Sequence, residues 1–223
     1  MNSLPSPSSS RFPGETPFSY DCMRCKRCCH DKLIQVNPYE TARMARRLGL
    51  STSQFIQTYL EEGVYLRRVD EGACVFLGTS GCGVHADRPL VCRLYPLGRH
   101  VGGGEKVAYS RVVPHPQSEG HYGQEGTAAG FIEAQGAAPF ITAADLYLDL
   151  LSALLAVWRK QAPASEAENT TPDRVDTEPP SFSDMDVAIA QYSATQGTEE
   201  PQDIDARMQL HILTIRKWIA EAS

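Results

Sequence analysis

An α+β fold, mostly helical, follows from three features of this 223-residue chain. All seven cysteines fall within its first 92 residues. Four form a C-x-x-C-x-x-C-C run at Cys22, Cys25, Cys28 and Cys29, and Cys74, Cys82 and Cys92 follow. Several segments repeat apolar residues at helical spacing behind capping signatures, and one stretch turns on three consecutive glycines as a strand pair does. These features predict a small cysteine-rich, metal-centred domain with a helical hairpin and a β-hairpin, followed by appended helices. The 42% hydrophobic content suffices for a core at this length.

Residues 1–17 hold four prolines among serines and read as a disordered tail, with the folded chain starting at Phe18. Asn37-Pro38-Tyr39-Glu40 combines a capping residue, a proline at the first helical position and a carboxylate at the third. That pattern predicts a helix over 38–48, stopped at Gly49, whose Arg43, Arg46 and Arg47 form a solvated basic face. Ser51 and Gln54 open a second helix carrying Phe55, Ile56, Tyr59 and Leu60 before Gly63. The two helices are expected to form a hairpin beside the cysteines.

Val64 to Val69 reads as a short strand leading to Cys74. Tyr95 to Val101 and Lys106 to Val113, joined through Gly102-Gly103-Gly104, read as a β-hairpin. The glycines form a turn and not a phosphate loop, since no G-K-[ST] follows them. Residues 114–139, rich in Gly, Pro, Gln and His, read as a long loop.

Thr142 to Asp145 cap a core helix over 142–160 with Leu146, Leu150, Leu151, Leu154, Leu155, Val157 and Trp158. Asp145 and Asp149 interrupt that helix, which is too short and too charged to span a bilayer. A Pro/Glu/Thr linker is expected over 161–180. A short helix near 184–192 and an amphipathic helix near 202–221, carrying Ile204, Met208, Ile212, Ile215 and Ile219, then complete residues 181–223. The cysteine-cluster domain is expected to occupy 18–160.

A thiolate every three residues in a turn-rich segment gathers sulfurs around one point, as a tetrahedral zinc site or an iron–sulfur cluster requires. A disulfide framework is the competing reading. It fits poorly with an odd cysteine count, with the adjacent Cys28 and Cys29, and with an N-terminus lacking a basic region followed by an apolar core. The expected compartment is the cytoplasm, where thiols stay reduced. Seven cysteines exceed the four ligands of one site, and Cys28 and Cys29 diverge if their backbone is extended, which leaves one of them as a packed thiol. Four thiolates around a divalent centre carry net negative charge, which Arg88 and Arg93 beside Cys92 could offset. Ion pairs of these arginines with Asp87 or Glu71 are the ordinary alternative.

The formal charge of −6 offers no broad field for nucleic acid, and neither nucleic acid nor membrane is expected as a partner. A protein client docked by the appended helices is the partner this organisation leaves room for. His85, His100, His115, His121, Tyr95 and Glu119 are the other candidate chemical groups. His85 stands three residues after Cys82, and His115 lies in the proline-rich loop; each is either a ligand or an ordinary packed or loop histidine.

The segment from Cys22 to Pro96 resembles the YkgJ-type cysteine-cluster family, described as zinc- or iron-chelating proteins with a C-x-x-C-x-x-C-C motif. The resemblance rests on the four-cysteine run, on Cys74-Val75-Phe76-Leu77, and on the string from Cys82 through His85, Arg88-Pro89 and Cys92-Arg93 to Tyr95-Pro96. Members often carry a further cysteine-proline element, where this chain has Val113-Pro114-His115-Pro116. All seven cysteines are candidate metal ligands, with some of them structural, one ligating reversibly, or two metal sites sharing the region. The resemblance also brings in a flagellin lysine methylase with a related motif and an iron–sulfur cluster.

A three-spaced run with remote ligands is closer to 4Fe-4S proteins than to zinc sites built from two separated pairs, so an iron–sulfur cluster is preferred to zinc. The expected function is metal binding in an accessory or redox role. The alternatives are a cluster-dependent protein-modifying enzyme, such as a lysine methylase-like protein, and a zinc-organised interaction module. No G-x-G-x-x-G, G-x-S-x-G, H-E-x-x-H or P-loop supports an enzyme.

Overall fold

The computed structural model describes residues 10–69, 72–102, 106–161 and 180–222. The chain runs β1 (Pro17–Asp21), a 3-10 turn (Arg27–Cys29), α1 (Pro38–Arg47), α2 (Thr52–Tyr59), β2 (Leu60–Glu61), β3 (Tyr65–Leu66), β4 (Leu77–Gly78) and β5 (Gly81–Cys82). A second 3-10 turn (His85–Asp87), α3 (Leu90–Leu94), β6 (Leu97–His100), β7 (Ala108–Arg111), β8 (His121–Thr127) and α4 (Ala128–Ala134) follow. The chain ends with α5 (Ala138–Gln161), α6 (Met185–Gln196) and α7 (Ile204–Glu221). The fold is α+β and mostly helical. It divides into two units, one of residues 1–35 and 65–141, the other of 36–64 and 142–223. This division differs from the expected grouping of 18–160, because the helices at 36–64 join the C-terminal ones.

The first unit carries every cysteine. Its strands pair antiparallel, with Leu97 opposite Arg111 and His100 opposite Ala108 in the expected hairpin. β1 pairs with β8, setting Tyr20 opposite Tyr122 and Asp21 opposite His121. Phe18, Leu94, Leu97, Ala128, Ile132 and Ala137 form the core beneath them. Two expectations change here. Structure begins before Phe18, since the Phe12 N–H donates to the Tyr109 carbonyl and the Tyr109 N–H donates back, both at 2.8 Å. The expected loop at 114–139 contains β8, α4 and the start of α5. Gly123 and Gly126 hid the strand, whose pairing with β1 overrides a weak local preference. α4 begins at Thr127, whose side chain accepts from the Gly130 N–H.

In the second unit α1 and α2 begin with the two expected capping boxes, Asn37 with Glu40 and Ser51 with Gln54. Tyr39, Met44, Phe55, Met185, Ile189 and Ile215 are fully buried there. The arginines of α1 are not simply solvated: Arg43 donates to the Tyr39 hydroxyl at 3.0 Å, and Arg46 to the Gln202 carbonyl at 3.3 Å. Asp184 caps α6 while accepting from the Thr52 and Ser53 hydroxyls of α2. The buried His211 side chain joins Tyr147 Oη at 2.8 Å and the Ser181 carbonyl at 2.9 Å.

α5 starts at Ala138, four residues before the expected cap, with Pro139 in its first turn, where a missing N–H is harmless. The 138–159 stretch is thereby long and apolar enough to cross a membrane by length and composition, with mean hydropathy 1.8. Tyr147, Leu150, Leu154 and Val157 on it are buried in the second unit. Residues 1–9 of the expected tail, Gly103-Gly104 of the hairpin turn, and most of the expected linker, 162–179, lie outside the described residues.

Candidate metal centre

The four-cysteine run is bent by left-handed residues. Arg24 (φ 54°) and Lys26 (φ 65°) adopt the conformation that glycine favours, each at a cost of about 1–2 kcal/mol for a side-chain-bearing residue. The Cys29 N–H closes the turn on the Lys26 carbonyl at 3.0 Å. Cys28 and Cys29 therefore sit in a 3-10 turn and not in extended backbone. Their sulfurs do not diverge as expected but stand 4.0 Å apart.

Main-chain bonds bring the remote cysteines to this run. The Cys74 N–H donates to the Cys29 carbonyl at 2.8 Å, and the Asp31 N–H to the Gly72 carbonyl at 2.9 Å. His30 bridges to Ala73 and Arg68 to Cys74. Cys74 then leads into the β4–β5 hairpin, in which Cys82 stands opposite Leu77. Lys26 Nζ donates to the Thr79 carbonyl in the hairpin's turn. Cys92 lies in α3, with its N–H on the Pro89 carbonyl at 3.0 Å.

The thiols feel one another's charge. Cys29 is pushed up by its hydrogen bond to Cys28, by burial, and by the charges of Cys28, Cys92 and Cys74. Cys28 is lowered to about 7 because the Cys29 thiol donates to it, with Lys32 and His30 nearby. Cys74 is raised, chiefly by burial, although the Phe76 N–H donates to its sulfur and Cys82 lies within charge range. Cys25 is lowered, first by the Glu119 N–H and also by the Arg27 N–H and the Ser118 side chain. Two of these contacts share one geometry: Cys25 with the Arg27 N–H, and Cys74 with the Phe76 N–H, each two residues on. Such bonds favour the thiolate that a metal requires.

The structure thus relates Cys25, Cys28, Cys29, Cys74, Cys82 and Cys92 within one unit. Cys22, one residue past β1, is exposed. None of the seven is joined in a disulfide. Among the described residues no three His, Cys, Asp or Glu side chains already surround one point at the spacing a single ion needs.

The expected charge compensators also hold main chain and side chain around them. Arg93, 6% exposed, donates to the Ala86, Arg88 (3.1 Å) and Gln135 (3.0 Å) carbonyls and lies 3.9 Å over the Phe140 ring. Arg88 donates to the His85 carbonyl at 2.7 Å and to Gln135 Oε1 at 2.8 Å. Glu71, the suggested ion-pair partner, lies outside the described residues.

The candidate histidines are largely occupied. His85 is held neutral by burial and by the charges of Arg88, Arg93 and Arg24, with Nδ1 facing the Arg88 guanidinium at 3.3 Å. His115 Nδ1 accepts from the Gln117 N–H at 3.1 Å and shapes a turn. His100 Nε2 pairs with Ser110 Oγ at 2.8 Å, whereas His121 stands opposite Asp21 in the strand register with its side chain exposed.

Sequence reasoning missed Ser118 and the main chain of Glu119 as partners of Cys25. Their one visible signal is Gly120: a Cβ there would collide with the Tyr20 hydroxyl, which meets Ser118 Oγ at 3.1 Å. Glu119 was a candidate for its carboxylate, but its N–H makes the contact.

A thiol-only donor set, with N–H groups directed at sulfur, suits a soft metal ion or an iron–sulfur cluster and defines a cysteine-based chelating domain. Residues 21–113 match the model of the CxxCxxCC family, described as a putative zinc- or iron-chelating domain. The match agrees with the resemblance read from Cys22 to Pro96 and supports metal binding. No curated protein and no solved structure matches the chain.

Proposed function

We propose that the first unit holds an iron–sulfur cluster through cysteines drawn from Cys25, Cys28, Cys29, Cys74, Cys82 and Cys92, in an accessory or redox role within a thiol-reducing compartment such as the cytoplasm. The observation that carries this reading is the hydrogen bond joining the main chain of Cys29 to that of Cys74, with Cys92 and Cys82 within charge range of the pair. Thiols drawn from a local run and from remote segments suit a polynuclear cluster whose irons each take a ligand. The N–H groups at Cys25 and Cys74 and the neighbouring Lys32 and His30 would balance its negative charge.

Zinc is the second reading, and one distance favours it. Two sulfurs on a tetrahedral zinc ion, each about 2.3 Å from the metal, are about 3.8 Å apart. Cys28 and Cys29, at 4.0 Å, approach that edge.

Purification without oxygen separates the two. Iron with acid-labile sulfide and broad absorption near ~400 nm supports the cluster. A colourless protein with one stoichiometric zinc overturns the cluster in favour of zinc, and a metal-free protein overturns both.

A further inference from the structure

Tyr95 Oη is shut off from water and has no acceptor for its proton among the described residues. Its aromatic neighbours are provided for: Tyr20 meets Ser118 Oγ, and Tyr122 donates to the Val112 carbonyl at 2.6 Å. The His115 N–H faces Tyr95, but an N–H can engage only a lone pair of the phenol oxygen. The phenol's own proton is left without an acceptor. Burial raises the Tyr95 pKa, so the group remains a donor at neutral pH.

The charges of Cys28 and Cys25 both act on the Tyr95 phenol. The ring is held edge-on against Tyr20, with centroids 6.3 Å apart. A buried hydroxyl without an acceptor is unfavourable, whereas a metal-bound sulfur is an acceptor in need of donors.

We propose that Tyr95 is a positioning residue of the metal centre, its O–H donating to a sulfur on the Cys25–Cys28 side once metal is held. The inference rests on the thiolate-centre reading above. Its role is to stabilise charge on sulfur and fix the centre's seat, so the hydroxyl acts when the metal is present and is idle without it.

Wild type and Tyr95→Phe are compared with resident metal and after its removal under reductant. Tyr95→Phe is expected to keep the metal stoichiometry but to release metal to a competing chelator at about tenfold lower chelator concentration. Metal-free Tyr95→Phe is expected to unfold at the wild-type denaturant concentration or above, since the deleted hydroxyl has no partner there. The sulfur-to-metal charge-transfer band, sulfur-to-iron for a cluster or sulfur-to-cobalt after cobalt(II) replaces a resident zinc, is expected to shift in the variant, which a packing role alone would not cause.

Equal chelator midpoints, or an unmoved band, overturn the proposal. So does a clear loss of stability in the metal-free variant, which would reveal a partner within the protein. Metal analysis of wild type comes first: a wild-type protein without metal refutes the thiolate-centre reading itself, and the Tyr95 role falls with it.

Discussion

The Cys74 N–H donates to the Cys29 carbonyl at 2.8 Å, so a cysteine remote in sequence is tied to the N-terminal run through main chain. A bond of this kind places the two sulfur-bearing residues together before any metal arrives.

Cys25→Ser and Cys92→Ser are each expected to lose most of the bound metal, because binding energy at such a site is also folding energy. From the 4.0 Å approach of Cys28 and Cys29 we expect both sulfurs to join the ligand set. Cys28→Ala and Cys29→Ala should each lower metal affinity about tenfold or more. Metal-to-protein ratios after gel filtration check this, and full retention by any variant removes that cysteine from the ligand set.

In metal-free protein, Cys28 titrates at about 7 because Cys29 donates to it. Its alkylation by iodoacetamide should rise as pH climbs through 7 and then level off. In Cys29→Ala the donor is gone, and the Cys28 rate at pH 7 should fall tenfold or more. Peptide mapping by mass spectrometry reads this directly; an unchanged rate would show that Cys29 does not set the Cys28 thiolate.

Gly120→Ala forces a methyl into the Tyr20 hydroxyl and shifts the segment that presents the Glu119 N–H to Cys25. Destabilisation of about 1–3 kcal/mol is expected from such overpacking, read from the denaturant midpoint. Cys25 alkylation at pH 7 should slow as well, since its leading donor moves. A variant that matches wild type in both would mean that the loop tolerates the methyl elsewhere.

Arg93→Ala removes donors from the carbonyls of Ala86, Arg88 and Gln135 and takes the cation off the Phe140 ring. A loss of about 2–4 kcal/mol is expected. Arg93→Lys should recover little, because an ammonium cannot serve several carbonyls and stack at once. Thermal unfolding checks both, and wild-type stability in Arg93→Lys would point to charge alone as what matters.

Helices with strong caps were legible in the sequence. Asn37 with Glu40 and Ser51 with Gln54 start α1 and α2 where the pattern says, and the glycine-centred hairpin has the expected strands. β8 was not legible, because its residues carry little strand preference and owe their conformation to β1. The cysteine spacing pointed to the chelating domain, but the conformation of Cys28 and Cys29 depends on left-handed backbone at Arg24 and Lys26, which neither residue type announces. Arg93 beside Cys92 suggested charge compensation by adjacency alone. Its guanidinium also donates to carbonyls at Ala86, Arg88 and Gln135, contacts that no sequence spacing encodes.

The shared hydrogen bond between Cys28 and Cys29 fixes how many protons leave when metal arrives. With Cys28 at about 7 and Cys29 pushed well above its ordinary value, the pair holds one proton, not two, between roughly pH 7 and the usual thiol range near 8.5. Capture by both sulfurs in that window then expels a single proton from the pair, and below pH 7 it expels two. Metal uptake should therefore steepen in its pH dependence as the solution is acidified through neutrality, a break that a pair of unlinked thiols would show only in more alkaline solution.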